Sequence, residues 1–207
     1  MELAQRKLCT ILESISRQTD LAILLSSDSS YSYITWDYYR KLQTMTSLPV
    51  IPKGIMTVED AQKAVEAGAP AIMLSNHGGR QLDGSPSSLE VALEIHQQNP
   101  ELFKKVEVYA DGGVRYGADV LKLLALGVKA VGLGRPFMYA NVYGAEGVKH
   151  AIDILKHEIA IDAANLGVPD IKKITPDYVS SIKSFRATCV LLLTRFKVNW
   201  NFNNWYS

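Results

Sequence analysis

Cysteine is scarce in this sequence. Cys9 and Cys189 are the only two among 207 residues, far apart and without histidine at ligand spacing, so neither a disulfide framework nor a zinc site can be read from them. Long apolar runs are missing too: Cys189 to Leu193 is among the longest, far short of the ~20 residues a spanning helix needs. Charges at Glu2, Arg6, Lys7 and Glu13 break up any signal-peptide core. Neither charge sign dominates, with 22 Lys plus Arg against 21 Asp plus Glu, which removes any general pull toward nucleic acid or anionic membrane. What remains, 47% hydrophobic and 21% charged, is the balance of a globular chain of one ordinary domain.

Glycine is absent before Gly54 and after Gly167, so all 14 glycines, and with them the tight turns, fall in the middle of the chain. Acidic residues are absent from Tyr178 onward, where Lys183, Arg186, Arg195 and Lys197 are joined by Trp200 and Trp205 in the string WNFNNWYS. These shifts set a glycine-bearing middle apart from an atypical basic and aromatic tail.

Within the centre, short apolar runs alternate with amphipathic stretches. Leu48 to Pro52, Ala71 to Ser75, Val106 to Ala110 and Ala130 to Leu133 have the length and composition of buried strands. Between them lie TVEDAQKAVEAG, SLEVALEIHQQN and RYGADVLKLLALG, with Thr57 and Asp60 as an approximate capping box and Gly68 and Gly127 as helix stops. A last helix is predicted over Gly147 to Leu166. Such alternation with short connections predicts a parallel sheet with right-handed crossovers. At about 30 residues per unit, four units fit the second half of a TIM (β/α)₈ barrel or part of an open sheet. The G-x-G-x-x-G that an open dinucleotide-binding sheet carries after its first strand is missing. The half-barrel reading expects Ile72, Leu74, Val106, Val108 and Val131 to face the absent half.

The polar clusters favour the barrel, because each follows a predicted strand: Lys53, then Ser75 to Arg80, then Asp111 to Arg115, then Gly134-Arg135. Barrel active sites are built from these βα loops. Alone, His77 and Arg80 would read as a loop histidine and a surface arginine. At a strand end, with two glycines between them, they make a proton acceptor and a carboxylate-binding fork over one ligand. Lys53 is either a lysine snorkelling to solvent or a partly buried cation awaiting an electron-rich partner. The ADGGVR and GLGR loops offer Gly112, Gly113 and Gly134 for close backbone approach to phosphate, with Arg115 and Arg135 supplying charge. Asp111 would repel phosphate and suits a hydroxyl. His96, His150 and His157 read as solvated helix residues, and the Tyr31, Tyr33, Trp36, Tyr38 and Tyr39 cluster as helix packing.

The nonapeptide SNHGGRQLD (Ser75 to Asp83), followed by ADGGVRYGADVLKLLALG and GLGRPFMYAN and preceded by PKGI, resembles the FMN-dependent 2-hydroxy acid dehydrogenases and oxidases, the flavocytochrome lactate dehydrogenase branch most of all. The resemblance runs from about Tyr33 through Tyr178, which implies an N-terminal segment (1–32) without clear family match, a half-barrel region (33–179) and a tail (180–207) outside it. It implies FMN as cofactor and oxidation of a small (S)-2-hydroxy acid, lactate-like, to a 2-oxo acid. It implies His77 as base, His77 and Arg80 as substrate ligands, Lys53 on the flavin N1 side, and Ser75, Asp111, Gly112, Gly113, Arg115, Gly134 and Arg135 as cofactor ligands. It implies no metal, no nucleic acid and no membrane span, and leaves the electron acceptor and compartment unassigned.

Against the family pattern, the first four barrel strands are missing, and with them the aspartate that orients the histidine. The expectation is therefore a C-terminal fragment carrying the base and the phosphate site, with self-association through open barrel edges. The alternatives are an inactive remnant that binds phosphate or FMN weakly or pairs with another barrel half, and a different phosphate-binding barrel enzyme such as an aldolase or isomerase.

Overall fold

A computed structural model of the chain describes residues 35–80 and 82–179. The N-terminal segment through Ile34, with Cys9, Tyr31 and Tyr33, and the tail from Ser180, with Cys189, lie outside the described residues. By its internal contacts the chain forms two units, one containing residues 35–113 and 129–134, the other 114–128 and 135–179.

The first unit opens with helix α1 (Trp36–Thr44), capped by the Thr35 hydroxyl, which accepts from the Tyr38 N–H at 3.2 Å. Tyr39 is its buried anchor. The Tyr39 hydroxyl donates to the Val50 carbonyl at 2.8 Å, and burial pushes that phenol's pKa above its ordinary value. Strand β1 (Lys53–Ile55), helix α2 (Val58–Glu66), strand β2 (Ala71–Leu74), helices α3 (Ser88–Gln98) and α4 (Leu102–Lys105) and strand β3 (Glu107–Asp111) follow. Strand β4 (Ala130–Gly132) completes one sheet of order β1-β2-β3-β4, parallel throughout. Order and direction are those of consecutive strands in a (β/α)₈ barrel.

The caps fall where the sequence puts them. The Thr57 hydroxyl accepts from the Asp60 N–H at 3.1 Å, and Gly68, at φ +74°, ends α2. Ser87 and Glu90 close a reciprocal capping box at the start of α3.

The first strand does not lie where it was expected. Leu48 to Pro52 is not a strand, and Lys53 opens β1 rather than following it. Pro49 and Pro52 have no N–H to give a ladder, so the run contributes only the Pro52 carbonyl, which accepts from the Met73 N–H at 3.0 Å. Likewise Asp111 ends β3 instead of following it, and Val106 precedes that strand.

The expectation that Ile72, Leu74, Val106 and Val108 face a missing partner is also corrected. All four are buried, Ile72 and Leu74 completely. Period-two alternation turns Ile72 and Leu74 to one face, and α3 packs on both β2 and β3. The register aligns Lys53, Met73, Tyr109 and Ala130 in one row. That row, not the aliphatic one, forms the other face.

The second unit consists of helix α5 (Gly117–Ala125), helix α6 (Arg135–Ala140), the long helix α7 (Gly144–Asn165) and short turns through Val179. Helices α5 and α7 meet closely at Gly117, where a Cβ would lie 2.5 Å from the Ile159 nitrogen and 2.7 Å from the Glu158 carbonyl carbon. The Gly117 N–H donates to Glu158 Oε2 at 2.7 Å. The Arg115 and Tyr116 N–H groups donate to Asp119 Oδ2 at 3.1 and 3.2 Å. The start of α5 is thus capped by the protein's own carboxylates. No described helix is long and apolar enough to cross a membrane.

Candidate functional site

In the first unit, residues of β1, β2 and β3 meet in a polar cluster around Ser75, which directly follows β2 and is 2% exposed. Its hydroxyl accepts from Lys53 Nζ at 2.7 Å and from the His77 N–H at 3.1 Å, and donates to Asp111 Oδ1. These three bonds use the hydroxyl's full capacity. The second Asp111 oxygen lies 3.4 Å from Lys53 Nζ, and the two side chains are only 18% (Lys53) and 24% (Asp111) exposed. Lys53 is therefore no snorkelling surface lysine but a cation held at the strand ends with a carboxylate beside it.

Two residues that the sequence reading passed over support this cluster. The fully buried Ser88 hydroxyl, at the start of α3, shares its hydrogen between the carbonyls of Leu74, at 3.1 Å, and Asp111. It joins the ends of β2 and β3. The signal was a second serine at a helix start where Ser87 already caps. Asn76 accepts the Gly79 N–H on its side-chain oxygen at 3.2 Å and donates from its side-chain nitrogen to the Pro86 carbonyl at 3.2 Å. An asparagine three residues before a glycine is a local turn signal.

His77, Gly78 and Gly79 form one tight turn with φ of +54°, +65° and +75°. His77 is the one non-glycine residue at positive φ among the described residues. The His77 and Arg80 side chains are exposed.

Ser75 thus brings together Lys53, Asp111 and the His77 backbone. The His77 imidazole and the Arg80 guanidinium make no hydrogen bond or ion pair with them. Gly112 and Gly113 continue from Asp111 at φ +94° and +79°. Gly134 has no atom within 4 Å of where a Cβ would be, and at Gly113 the nearest is 4.0 Å away. At Gly132 a Cβ would come within 3.2 Å of the Asp111 Cβ, so glycine there keeps the space beside the carboxylate open. Arg115 and Arg135 belong to the second unit, both exposed, Arg135 as the first residue of α6.

A partly buried ammonium, a carboxylate beside space, and glycine-lined loops fit a cofactor with an electron-rich ring edge, hydroxyls and a phosphate. Two hollows lie away from this cluster. One of about 320 Å³ is lined by Leu121, Ala125, Leu166 and Val179, and an open cleft of about 440 Å³ by Pro70, Phe103 and Lys129 among others. His96 packs obliquely on Phe103 at 6.5 Å. No group of three or more His, Cys, Asp or Glu is placed to hold a metal among the described residues.

Comparison with known proteins adds a lineage. The model of the FMN-dependent dehydrogenase family matches residues 5–181, which takes in part of the N-terminal segment where the motifs themselves carry no resemblance. L-lactate dehydrogenase (cytochrome) of Saccharomyces cerevisiae is 50% identical over 149 residues, which is 70% of this chain and 25% of that protein. A peroxisomal (S)-2-hydroxyacid oxidase of Arabidopsis thaliana is 48% identical over 153 residues, covering 73% of this chain and 40% of its own length. Among solved structures, the recombinant flavin-binding domain of baker's yeast flavocytochrome b2 matches with a TM-score of 0.64 and 50% identity, over 70% of this chain and 38% of that one. The chain thus spans between a quarter and two-fifths of these relatives.

Proposed function

Because the chain belongs to the FMN-dependent dehydrogenase family, we propose that it carries the base-bearing and phosphate-binding portion of a flavoenzyme that oxidises a small (S)-2-hydroxy acid, lactate-like, to the 2-oxo acid. The observation that carries this reading is the Lys53–Ser75–Asp111 cluster with the His77 amide tied to its centre. Bound FMN supplies the two-electron acceptor.

The chain's residues do the rest. Arg80 pairs with the substrate carboxylate through its guanidinium fork. His77 takes and holds a substrate proton, from the α-carbon or from the hydroxyl, as a general base. Lys53 sets its positive charge against the N1 side of the flavin, where reduction gathers negative charge. Ser75 fixes that ammonium, and Asp111 accepts from a ribityl hydroxyl. Gly112, Gly113 and Gly134 present their backbone at the phosphate end, with open space at Gly113 and Gly134, and Arg115 and Arg135 neutralise it. The relatives' names supply two candidate acceptors for the electrons, a cytochrome and molecular oxygen. The outer edges of β1 and β4, which no described strand covers, are left for other strands or for a second copy.

Titrating the chain with FMN while following flavin fluorescence, then mixing anaerobically with lactate and with glycolate, tests the reading. Quenching on binding and bleaching by one hydroxy acid are expected, with His77→Gln keeping the first and losing the second. Failure to bind FMN refutes the reading. Binding without bleaching, together with the absence of any partner for the imidazole among the described residues, favours the inactive remnant.

A further inference from the structure

The turn that carries His77 is strained. Left-handed backbone brings the Cβ of an L-residue too close to the following carbonyl oxygen, and such outliers persist only where their surroundings hold them. Its neighbours Gly78 and Gly79 enter that region freely; His77 does not. The His77 side chain offers no compensation, being exposed and without a partner among the described residues.

What surrounds the turn is Asn76. The Gly79 N–H is received by both the Asn76 carbonyl, at 2.9 Å, and its side-chain oxygen, at 3.2 Å, so the far end of the turn is clamped twice by the residue before it. The other end of the same amide donates to the Pro86 carbonyl at 3.2 Å, fixing the turn to the segment that leads into α3. The amide also lies against Gly112, where a Cβ would come within 2.7 Å of the Asn76 oxygen. The loop after β2 and the loop after β3 are therefore seated against each other through one side chain, possible because position 112 has none.

We propose that Asn76 is the positioning residue for His77: its amide holds the histidine in the left-handed conformation and seats its loop against Gly112. Asn76 touches neither substrate nor cofactor in this assignment. The assignment rests on reading His77 as the base, so its test is taken without flavin and can fail or succeed independently of flavin binding.

The experiment is solution NMR on the isotopically labelled full chain with Asn76→Ala, Asn76→Asp and Asn76→Ser. A positive φ gives residue 77 a strong intraresidue NOE between its amide and α protons. That NOE is expected in the wild type and in N76D, which retains the acceptor for Gly79. It is expected to weaken or vanish in N76A, with Gly79 amide exchange faster by about tenfold, the scale of one lost hydrogen bond read through local opening. A general loss of stability would speed exchange throughout the chain and leave the residue 77 NOE intact in the folded fraction. If N76A does not fold, N76S carries the test, since its shorter side chain draws the oxygen back from both the Gly79 N–H and Gly112, and a weakened NOE is expected. A full-strength NOE in the folded alanine variant, or in the serine variant if alanine does not fold, overturns the proposal.

Discussion

Replacing His77 with glycine should make this protein more stable, although it removes the proposed base. The side chain is exposed and makes no polar contact among the described residues, so truncation forfeits little packing or hydrogen bonding. The His77 N–H keeps its bond to Ser75, because the backbone is unchanged. Two opposing terms remain. Relief of the left-handed conformation at φ +54° returns roughly 1–2 kcal/mol, and glycine's greater freedom in the unfolded chain takes back about 0.5–1 kcal/mol. The net gain is about 0.5–1 kcal/mol. With a urea dependence of ~1–3 kcal/mol per molar, the unfolding midpoint should rise by roughly 0.2–1 M. Urea titrations of wild type, His77→Gly and His77→Asn, followed by far-ultraviolet circular dichroism, measure this. Asparagine should fall between the two, because its short side chain can hydrogen-bond locally in the left-handed region. A lower midpoint for the glycine variant would show that the imidazole stabilises the fold and that the strain argument is mistaken.

The other predictions concern binding, packing and pH. Lys53→Met should weaken FMN binding by about tenfold or more, the value of one hydrogen bond to a charged group, and leave inorganic phosphate binding unchanged; Arg135→Ala should weaken both. Equal loss of phosphate binding in the Lys53 variant would place the lysine at the wrong end of the cofactor. Gly117→Ala drives a methyl into the α7 backbone, and it should cost about 2 kcal/mol and lower Tm by roughly 4–8 °C; an unchanged Tm would mean that α5 and α7 slide apart freely. Burial first, and then Glu107, push the Tyr109 phenol up to about 12. Because the folded state holds this proton more tightly than the unfolded chain does, the associated stability is complete below pH ~10 and is lost as pH rises through about 12. The phenolate absorbance missing in Tyr109→Phe should appear only near that upper value, and a component near pH 10 would contradict the assignment.

The sequence made the helices and the loop chemistry legible and misplaced what depends on pairing. Caps at Thr57, Gly68 and Gly127 are local, and local rules locate them. Lys53 was assigned after a strand it begins, because apolar composition outweighed the two prolines that deny Leu48 to Pro52 a ladder. The core face was misjudged for a related reason. Ile72 and Leu74 are the bulkier aliphatics, but only the register with β1 and β3 reveals that Met73 and Tyr109 share the row with Lys53. Lys53, Ser75, Asp111 and His77 were each singled out by motif. Their union around one hydroxyl was not legible, since it joins residues 22 and 36 positions apart. Asn76 and Ser88 were missed because their work is to hold backbone, which no side-chain chemistry announces.

At the start of α5, Asp119 and Glu158 already occupy the amides that a bare helix end would offer an anion. A phosphate near this end would find the dipole spent and two carboxylates in residence. The Arg115 guanidinium, exposed to water, is then the attraction that remains there, and an exposed charge is screened over about 8–10 Å at ordinary ionic strength. Affinity at this loop should accordingly behave as a surface ion pair does, strong in dilute buffer and fading as salt is added, where a dehydrated amide cradle would hardly respond.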